Sequence, residues 1–478
     1  MESRTKIVAT LGPASEQPEV LAEMLRAGVD MVRLNLSHGT SAEHLERMAL
    51  VRSVAEELEL QVAVLADLPG PKVRSGKFPE GGAMLKVGGL VHLSPGDGPS
   101  DEEHITVDYP TLLDDVRPGD RIVLGDGAIT LHAASIAEGA IHAVVLTGGR
   151  VQGRPGVHIP AERLRLTTPT PQDLVLAKEF TDAGADFIAV SFVRSAADLV
   201  MVRQITGPDG PRLVAKIETA PAIDNLLEII EATDAVMVAR GDLGIECPLE
   251  DVPHLQKHII RSCVEAGVPV ITATQMLESM TTSPAPTRAE VSDVANAVFD
   301  GTDAVMLSGE TAIGNDPALV IRTMARIAAR AESEASYEHW GSRLGRVQLR
   351  EASPGPDRTT MALTHAAFQA ANDIGVAAIL CCTRSGRTAR AMARFRPAAR
   401  LIGLSPDART ARRLAISWGV HPLVVETYHS TDDLVWFAVE RAVLTGQIRT
   451  GDQVLVLAGA PDRPSGAATD VLRAVTVE

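Results

Sequence analysis

Two stretches end apolar runs in charge. Residues 213–218 (LVAKIE) finish in Lys216 and Glu218, and residues 235–246 (AVMVARGDLGIE) run from β-branched Val236 and Val238 into Arg-Gly-Asp-Leu-Gly. Each reads as a buried strand, and the second is expected to end in a tight loop carrying Asp242 between two glycines. Side chains two apart on a strand share a face, so Lys216 and Glu218 point the same way. A cation beside two carboxylates on neighbouring strand ends is expensive to bury, and function explains it better than a salt-bridged core. In VRLNLSHG, Arg33, Asn35 and Ser37 alternate on one face, with His38 and Gly39 following as the chain turns out. An arginine there suits a phosphate or carboxylate, because its planar donors grip two oxygens. Asp67 ends another run with Arg74 after it, Thr272 and Thr274 are expected to share a strand face, and Ser308 and Glu310 end the run VMLSGE.

These groups need elements to carry them. Strands are expected at 6–11, 31–36, 62–67, 187–191, 213–218, 235–239, 268–273 and 304–307, with amphipathic helices between. Thr287 with Glu290 forms a capping box, and Thr170-Pro171 puts proline at a first helical position. Eight strand–helix units predict a closed (β/α)8 TIM barrel, with a doubly wound sheet as the alternative. Residues 1–69 and 170–340, roughly 240 in all, match the usual size of such a barrel. Polar groups then stand at the carboxyl ends of several of its strands, where barrel active sites lie.

Residues 70–169 interrupt the pattern with glycine, proline and short alternating runs at 121–124 and 141–146, the signature of a small inserted β domain placed to act as a lid. Residues 341–357 read as a linker. Residues 341–478 as a whole make a second, smaller C-terminal α/β domain, with a helix at 359–374 and strands at 377–382, 401–404 and 453–457.

The 478-residue chain is 45% hydrophobic and 22% charged, with a net charge of −16. That charge argues against nucleic acid or an anionic membrane as a general partner. Four cysteines without CxxC spacing and the lack of a signal-peptide h-region predict reduced thiols and a cytoplasmic protein.

The motifs TKIVATLGPAS, VRLNLSHGT, ADLPGPKVRSG, VSFVRS, AKIE, VMVARGDLGIE, TATQMLESM, PTRAEVSDVANAVFDGTDAVMLSGET and TRSGR together resemble the pyruvate kinase family over nearly the whole chain. The resemblance implies phosphoryl transfer from phosphoenolpyruvate to ADP, giving pyruvate and ATP in glycolysis, with homotetramer assembly. It implies that Glu218 and Asp242 hold Mg2+ or Mn2+ and that Lys216 and Arg33 are catalytic. It also implies that Gly241 and Asp242 receive the substrate carboxylate with Ser308 nearby, and that Thr274 belongs to the route protonating the enolate carbon. Asn35, His38 and Arg74 would line the nucleotide phosphates.

Two departures from the family carry expectations. Much of the family has a lysine at the position of Pro155, reaching ADP phosphates, and Arg154 is expected to take over. In potassium-requiring members a K+ lies among the groups matching Asn35, Ser37, Asp67 and the Leu68 carbonyl. Those members have threonine at Leu68 and glutamate at Lys72, so here the Lys72 ammonium is expected to replace K+. In the last domain Thr383, Arg384, Ser385, Gly386, Arg387 and Thr388 follow a strand and precede a helix, a setting for a phosphorylated effector. Nine arginines against one acid, Asp407, lie between residues 384 and 413, and several of them suit a solvated helix face. The competing readings are another barrel acting on phosphoenolpyruvate or pyruvate enolates, and a non-catalytic metabolite sensor.

Overall fold

The computed structural model describes residues 3–478 apart from 126, 128, 160–164, 336, 338–340, 342, 343, 345–355, 428, 429 and 460–467. Eight short apolar strands, buried on both faces, close into a parallel barrel: β1 Lys6–Thr10, β2 Met31–Asn35, β3 Ala63–Asp67, β4 Phe187–Val190, β5 Arg212–Ile217, β6 Ala235–Ala239, β7 Val270–Ala273 and β8 Ala304–Leu307. Each pairs with the next, and Lys6 of β1 pairs with Ala304 of β8, which excludes the doubly wound sheet. Met31, Leu65, Phe187, Met237, Ile271 and Met306 pack inside, and Ala415 and Ile416 of the C-terminal domain close the base.

Several expected strands were too long. Leu11 and Leu36 each give one more ladder bond, to Arg33 O and Asp67 O at 3.0 Å, before the chain turns away. β7 starts at Val270 because Pro269 has no N–H to donate. The helix starts at Thr170 and Thr287 are reciprocal capping boxes, the latter with Glu290 N–H to Thr287 Oγ1 at 3.2 Å and Thr287 N–H to Glu290 Oε2 at 2.7 Å.

The amino ends of the strands carry a two-strand period that the sequence reading missed. Asp30, Asp186, Asp234 and Asp303 each stand just before an even-numbered strand. Each carboxylate accepts the N–H at the start of the preceding odd strand: Ile7, Val64 and Leu213 at 2.9 Å and Val270 at 3.0 Å. Each also faces a cation. Lys6 lies 2.8 Å from Asp30, Arg52 and Arg412 lie 2.6 and 2.9 Å from Asp186, Arg203 and Arg212 pair with Asp234, and Arg396 is 3.9 Å from Asp303. Arg396 and Arg412 belong to the C-terminal domain, so two of the carboxylates that register the strands, Asp303 and Asp186, also dock that domain.

Between β3 and β4 the chain forms a curled half-barrel. Its six-stranded sheet has the order Val157–His158, Arg121–Leu124, Ile129–Ala137, Ala140–Thr147, Leu90–Pro95, His104–Val107, and a second pair joins Gly149–Val151 to Ala83–Leu85. The C-terminal sheet comprises β9 Ala378–Cys382, β10 Arg400–Ser405, β11 Val420–Val424, β12 Gln453–Ala458 and β13 Val471–Thr476, in the order β11-β10-β9-β12-β13 with β13 antiparallel. Two of these were not anticipated. Pro422 demotes β11 as a strand in sequence terms, and β13 is a partly exposed edge. Most of the expected linker, 342, 343 and 345–355, lies outside the described residues, and its last residues belong to the helix Pro356–Ile374. Among the described residues no helix is long and apolar enough to cross a membrane.

Candidate active site

At the carboxyl end of the barrel, β2, β3 and β5 bring four charged side chains into one cluster. Lys216 Nζ lies 2.9 Å from Glu218 Oε1 and 3.2 Å from Asp67 Oδ1, and donates to Ser191 Oγ at 2.7 Å. Arg33 Nε donates to Asp67 Oδ2 at 2.6 Å and its Nη1 to Thr10 Oγ1 at 3.2 Å. The Phe192 N–H donates to Glu218 Oε2 at 2.7 Å, with Phe192 itself at φ +55°, a strained conformation for an aromatic residue. Sequence reasoning gave no role to Ser191 or Phe192, although both sit in the VSFVRS motif.

Burial works against every charge in the cluster, so the pairings decide the protonation states. Asp67 and Glu218 raise the Lys216 pKa against its burial, and Lys216 and Arg33 hold Asp67 below the usual carboxylate range. Glu218 differs. Burial and the nearby Asp242 charge push it up to about 7, although Lys216 and the Phe192 N–H favour its ionised form. Glu218 and Asp242 are thus two neighbouring acids whose mutual repulsion an added cation would relieve. Among the described residues no three His, Cys, Asp or Glu side chains form a complete metal site. Two carboxylates are nonetheless the protein share that Mg2+ takes when substrate oxygens and water fill the rest of its shell. The residues present fit that ion.

Asp242 is not in a tight loop. It lies in the first turn of the helix Arg240–Glu246, in which Gly241 and Gly244 are ordinary helical residues. A Cβ on Gly241 would meet Thr274 Oγ1 at 3.6 Å, an ordinary contact, so neither a positive φ nor packing demands glycine there. Thr274 also differs from expectation. β7 ends at Ala273, and Thr274 turns out at φ +68°. Its hydroxyl accepts the Gly241 N–H at 2.9 Å and donates to Ala273 O at 2.7 Å, so that N–H already has a partner. Thr272 is buried and donates to Thr302 Oγ1 at 2.9 Å. Arg240, a position the sequence reading left unassigned, locks the corner by donating to Asp293 Oδ1 and Thr274 O at 2.7 Å. Buried Glu310 accepts the N–H groups of Ser308 at 2.6 Å and Leu277 at 3.1 Å and orders the Ser308 loop.

A cavity of about 250 Å³ separates this cluster from the inserted domain; His38, Lys72, Arg74, His158, Asp242 and Glu246 are among the residues lining it. Lys72 also lines it, exposed to solvent yet crowded by its neighbours. That crowding, with Lys216 and Arg74, lowers its pKa, while Asp67 and Asp242 favour its charge. Burial and then Lys72 and Arg74 lower the His38 pKa. The His38 carbonyl is 2.6 Å from His44 Nε2, and Arg47 Nη1 is 3.1 Å from His44 Nδ1. Because arginine only donates, Nδ1 accepts and Nε2–H donates, so a neutral His44 holds the loop. Three of the potassium-region groups are also engaged: Asp67 by Arg33 and Lys216, Asn35 Oδ1 by the Ser37 N–H at 3.3 Å, and the Leu68 carbonyl by Ser191 Oγ at 2.8 Å.

Arg154 and the Thr383–Thr388 loop are not among the residues lining this cavity. Arg154 Nε donates to Ser75 O at 3.2 Å and its Nη2 is 3.6 Å from Asp108, so its guanidinium braces the inserted domain. The Thr383–Thr388 loop sits in the C-terminal domain at the end of β9. There Thr388 Oγ1 is 2.7 Å from Thr469 Oγ1, and Arg384 O accepts from Thr410 Oγ1 at 3.0 Å. Of the arginines following it, Arg412 pairs with Asp186 at 2.9 Å and Arg409 donates to Asp209 O at 3.2 Å, contacts with the barrel rather than with solvent alone.

Comparison with known proteins gives a consistent result. Residues 2–321 match the family model for the pyruvate kinase barrel domain, and residues 361–475 match that for the pyruvate kinase alpha/beta domain. The chain is 42% identical to pyruvate kinase of Methylorubrum extorquens over 98% of its own length and 96% of the relative's. It is 41% identical to that of Staphylococcus saprophyticus over 97% and 79%. A crystal structure of a pyruvate kinase from Cryptosporidium parvum superposes with a TM-score of 0.91 at 31% identity, covering 100% of this chain and 96% of that one. The chain belongs to the pyruvate kinase family, whose reaction in glycolysis is transfer of the phosphoryl group of phosphoenolpyruvate to ADP, giving pyruvate and ATP.

Proposed function

We propose that the Arg33–Asp67–Lys216–Glu218 cluster is the phosphoryl-transfer centre. The observation that carries this is Lys216, buried at a barrel strand end and held between Asp67 and Glu218. A divalent cation on Glu218 and Asp242 would polarise the substrate's carboxylate and enolate oxygens. Lys216 places fixed positive charge where the enolate oxygen develops, and Arg33, oriented by Asp67, grips the phosphoryl group during a loose transition state. The first turn of the helix Arg240–Glu246 receives the substrate carboxylate at Gly241 and Asp242, with Ser308 at its edge. Thr274 exchanges its bond to the Gly241 N–H for one to substrate and lies on the protonation route. Asn35, His38 and Arg74 line the nucleotide phosphates. The test is pyruvate formation with Mg2+ present and ADP supplied or withheld. ADP-dependent turnover that Lys216→Met abolishes supports the assignment, and turnover that survives in the variant contradicts it.

Potassium independence belongs to the same reading. The Asp67, Asn35 and Leu68 oxygens have internal partners, and Lys72 lies within electrostatic reach of Asp67. A tethered ammonium there needs no binding equilibrium. Allosteric control by a phosphorylated effector at Thr383, Arg384, Ser385, Gly386, Arg387 and Thr388 is supported by the helix Ala408–Arg413. That helix touches the loop through Thr410 and the barrel base through Arg412. Exposed Trp436 and Leu444 on the helix Thr431–Leu444 support homotetramer assembly.

A further inference from the structure

The inserted domain meets the barrel through a short antiparallel pairing. Gly156 pairs with Arg74, and the Val157 N–H donates to Val73 O at 2.9 Å. Carried one step further, this register sets His158 across from Lys72, on the face that bears Arg74. Val157 and Ile159 are buried in the inserted domain's core, so the residue between them points the other way. His158 lines the cavity, together with Lys72, Arg74 and His38. Gly156 has no side chain to fill the space beside the ring: a Cβ built there would lie 3.3 Å from His158 Nε2.

We propose that His158 is the inserted domain's contact with a phosphate oxygen of the nucleoside diphosphate, at the point where Arg154 is turned away. The proposal rests on the reading of this cavity as the nucleotide site. An imidazole N–H on a strand is short and holds its direction, so it meets an anionic oxygen at little entropic cost once the domain closes. Lys72 and Arg74 stand beside His158 on the same face of the pairing, and His38, Arg194, Asp242 and Glu246 also line the cavity. His158 thus adds one donor to a wall already suited to phosphate.

The experiment measures KM for ADP, GDP and phosphoenolpyruvate in His158→Ala, His158→Lys, Arg154→Ala and Arg74→Ala. His158→Ala is expected to raise KM for ADP and GDP by the same factor, about tenfold or more for a lost charge-assisted hydrogen bond. KM for phosphoenolpyruvate should stay within about twofold, a change too small to represent such a bond. His158→Lys should hold KM for ADP near the parent value, and Arg154→Ala should leave it unchanged. If Arg74→Ala raises KM for ADP while His158→Ala does not, the proposal is overturned and the cavity reading stands. If both are silent, the cavity reading falls too. A rise for ADP without one for GDP assigns His158 to the base and overturns the phosphate contact.

Discussion

The two ends of the barrel use the same residue types for opposite purposes. At the amino end, Asp30, Asp186, Asp234 and Asp303 each combine a backbone N–H with a cation and join neighbouring strands. At the carboxyl end, Asp67 pairs only with Arg33 and Lys216 among the described contacts, and Glu218, although it too takes a backbone N–H and a cation, feels the Asp242 charge and has its pKa pushed up to about 7. A carboxylate that accepts a strand N–H and faces a cation stabilises the fold, even at Asp303, where burial still pushes the pKa up. One held against another carboxylate is a cost that the fold carries for the sake of a ligand. The difference separates what keeps the barrel together from what it does.

Substitutions at the two ends should therefore divide activity from stability. The largest effect is expected for Lys216→Met, which removes charge needed in the transition state and should lower kcat by about 10³-fold or more with little change in Tm. Calorimetry and a coupled pyruvate assay on one preparation check both halves. Asp186→Ala should do the reverse. It leaves the Val64 N–H, Arg52 and Arg412 without their shared partner and should cost about 3 kcal/mol of stability, read by denaturant unfolding. The kcat of the folded fraction should change less than about twofold, since the base touches no substrate.

Lys72→Glu falls between these cases. Turnover without potassium, in a buffer whose ionic strength comes from a large organic cation, should drop about tenfold and recover when potassium is added, as expected for one lost tethered charge. Strong potassium activation of the parent protein would refute the tethered-charge account. The smallest effect belongs to Arg387→Ala. Basal kinetics should stay unchanged, while a sugar phosphate or AMP that shifts the parent's phosphoenolpyruvate saturation curve should lose that effect. An effector acting unchanged on the variant moves its site elsewhere.

The sequence made the barrel legible because buried strands and amphipathic helices differ in period, and it revealed Lys216 and Glu218 because alternation puts them on one face. It misled at Gly241 and Gly244, where glycine signals a turn but the chain is helical and an added Cβ would make only ordinary contacts. It singled out Thr274 but put it on the strand face, because the positive φ that turns it out has no glycine to announce it. The four aspartates before even strands look like turn residues, since their N–H partners lie 21 to 122 positions away. His158 was invisible for the same reason: its place follows from pairing with the hinge across the insertion.

The separation of the two ends is tested most directly by Glu218→Gln, with kcat and Tm measured on the same sample. The change is isosteric and removes the charge that burial and Asp242 oppose. We expect kcat to fall by about 10³-fold while Tm holds or rises, because relieving a strained functional acid stabilises a fold that did not depend on it. A clear fall in Tm with kcat retained would show that Glu218 belongs with the aspartates at the base, and would contradict the account.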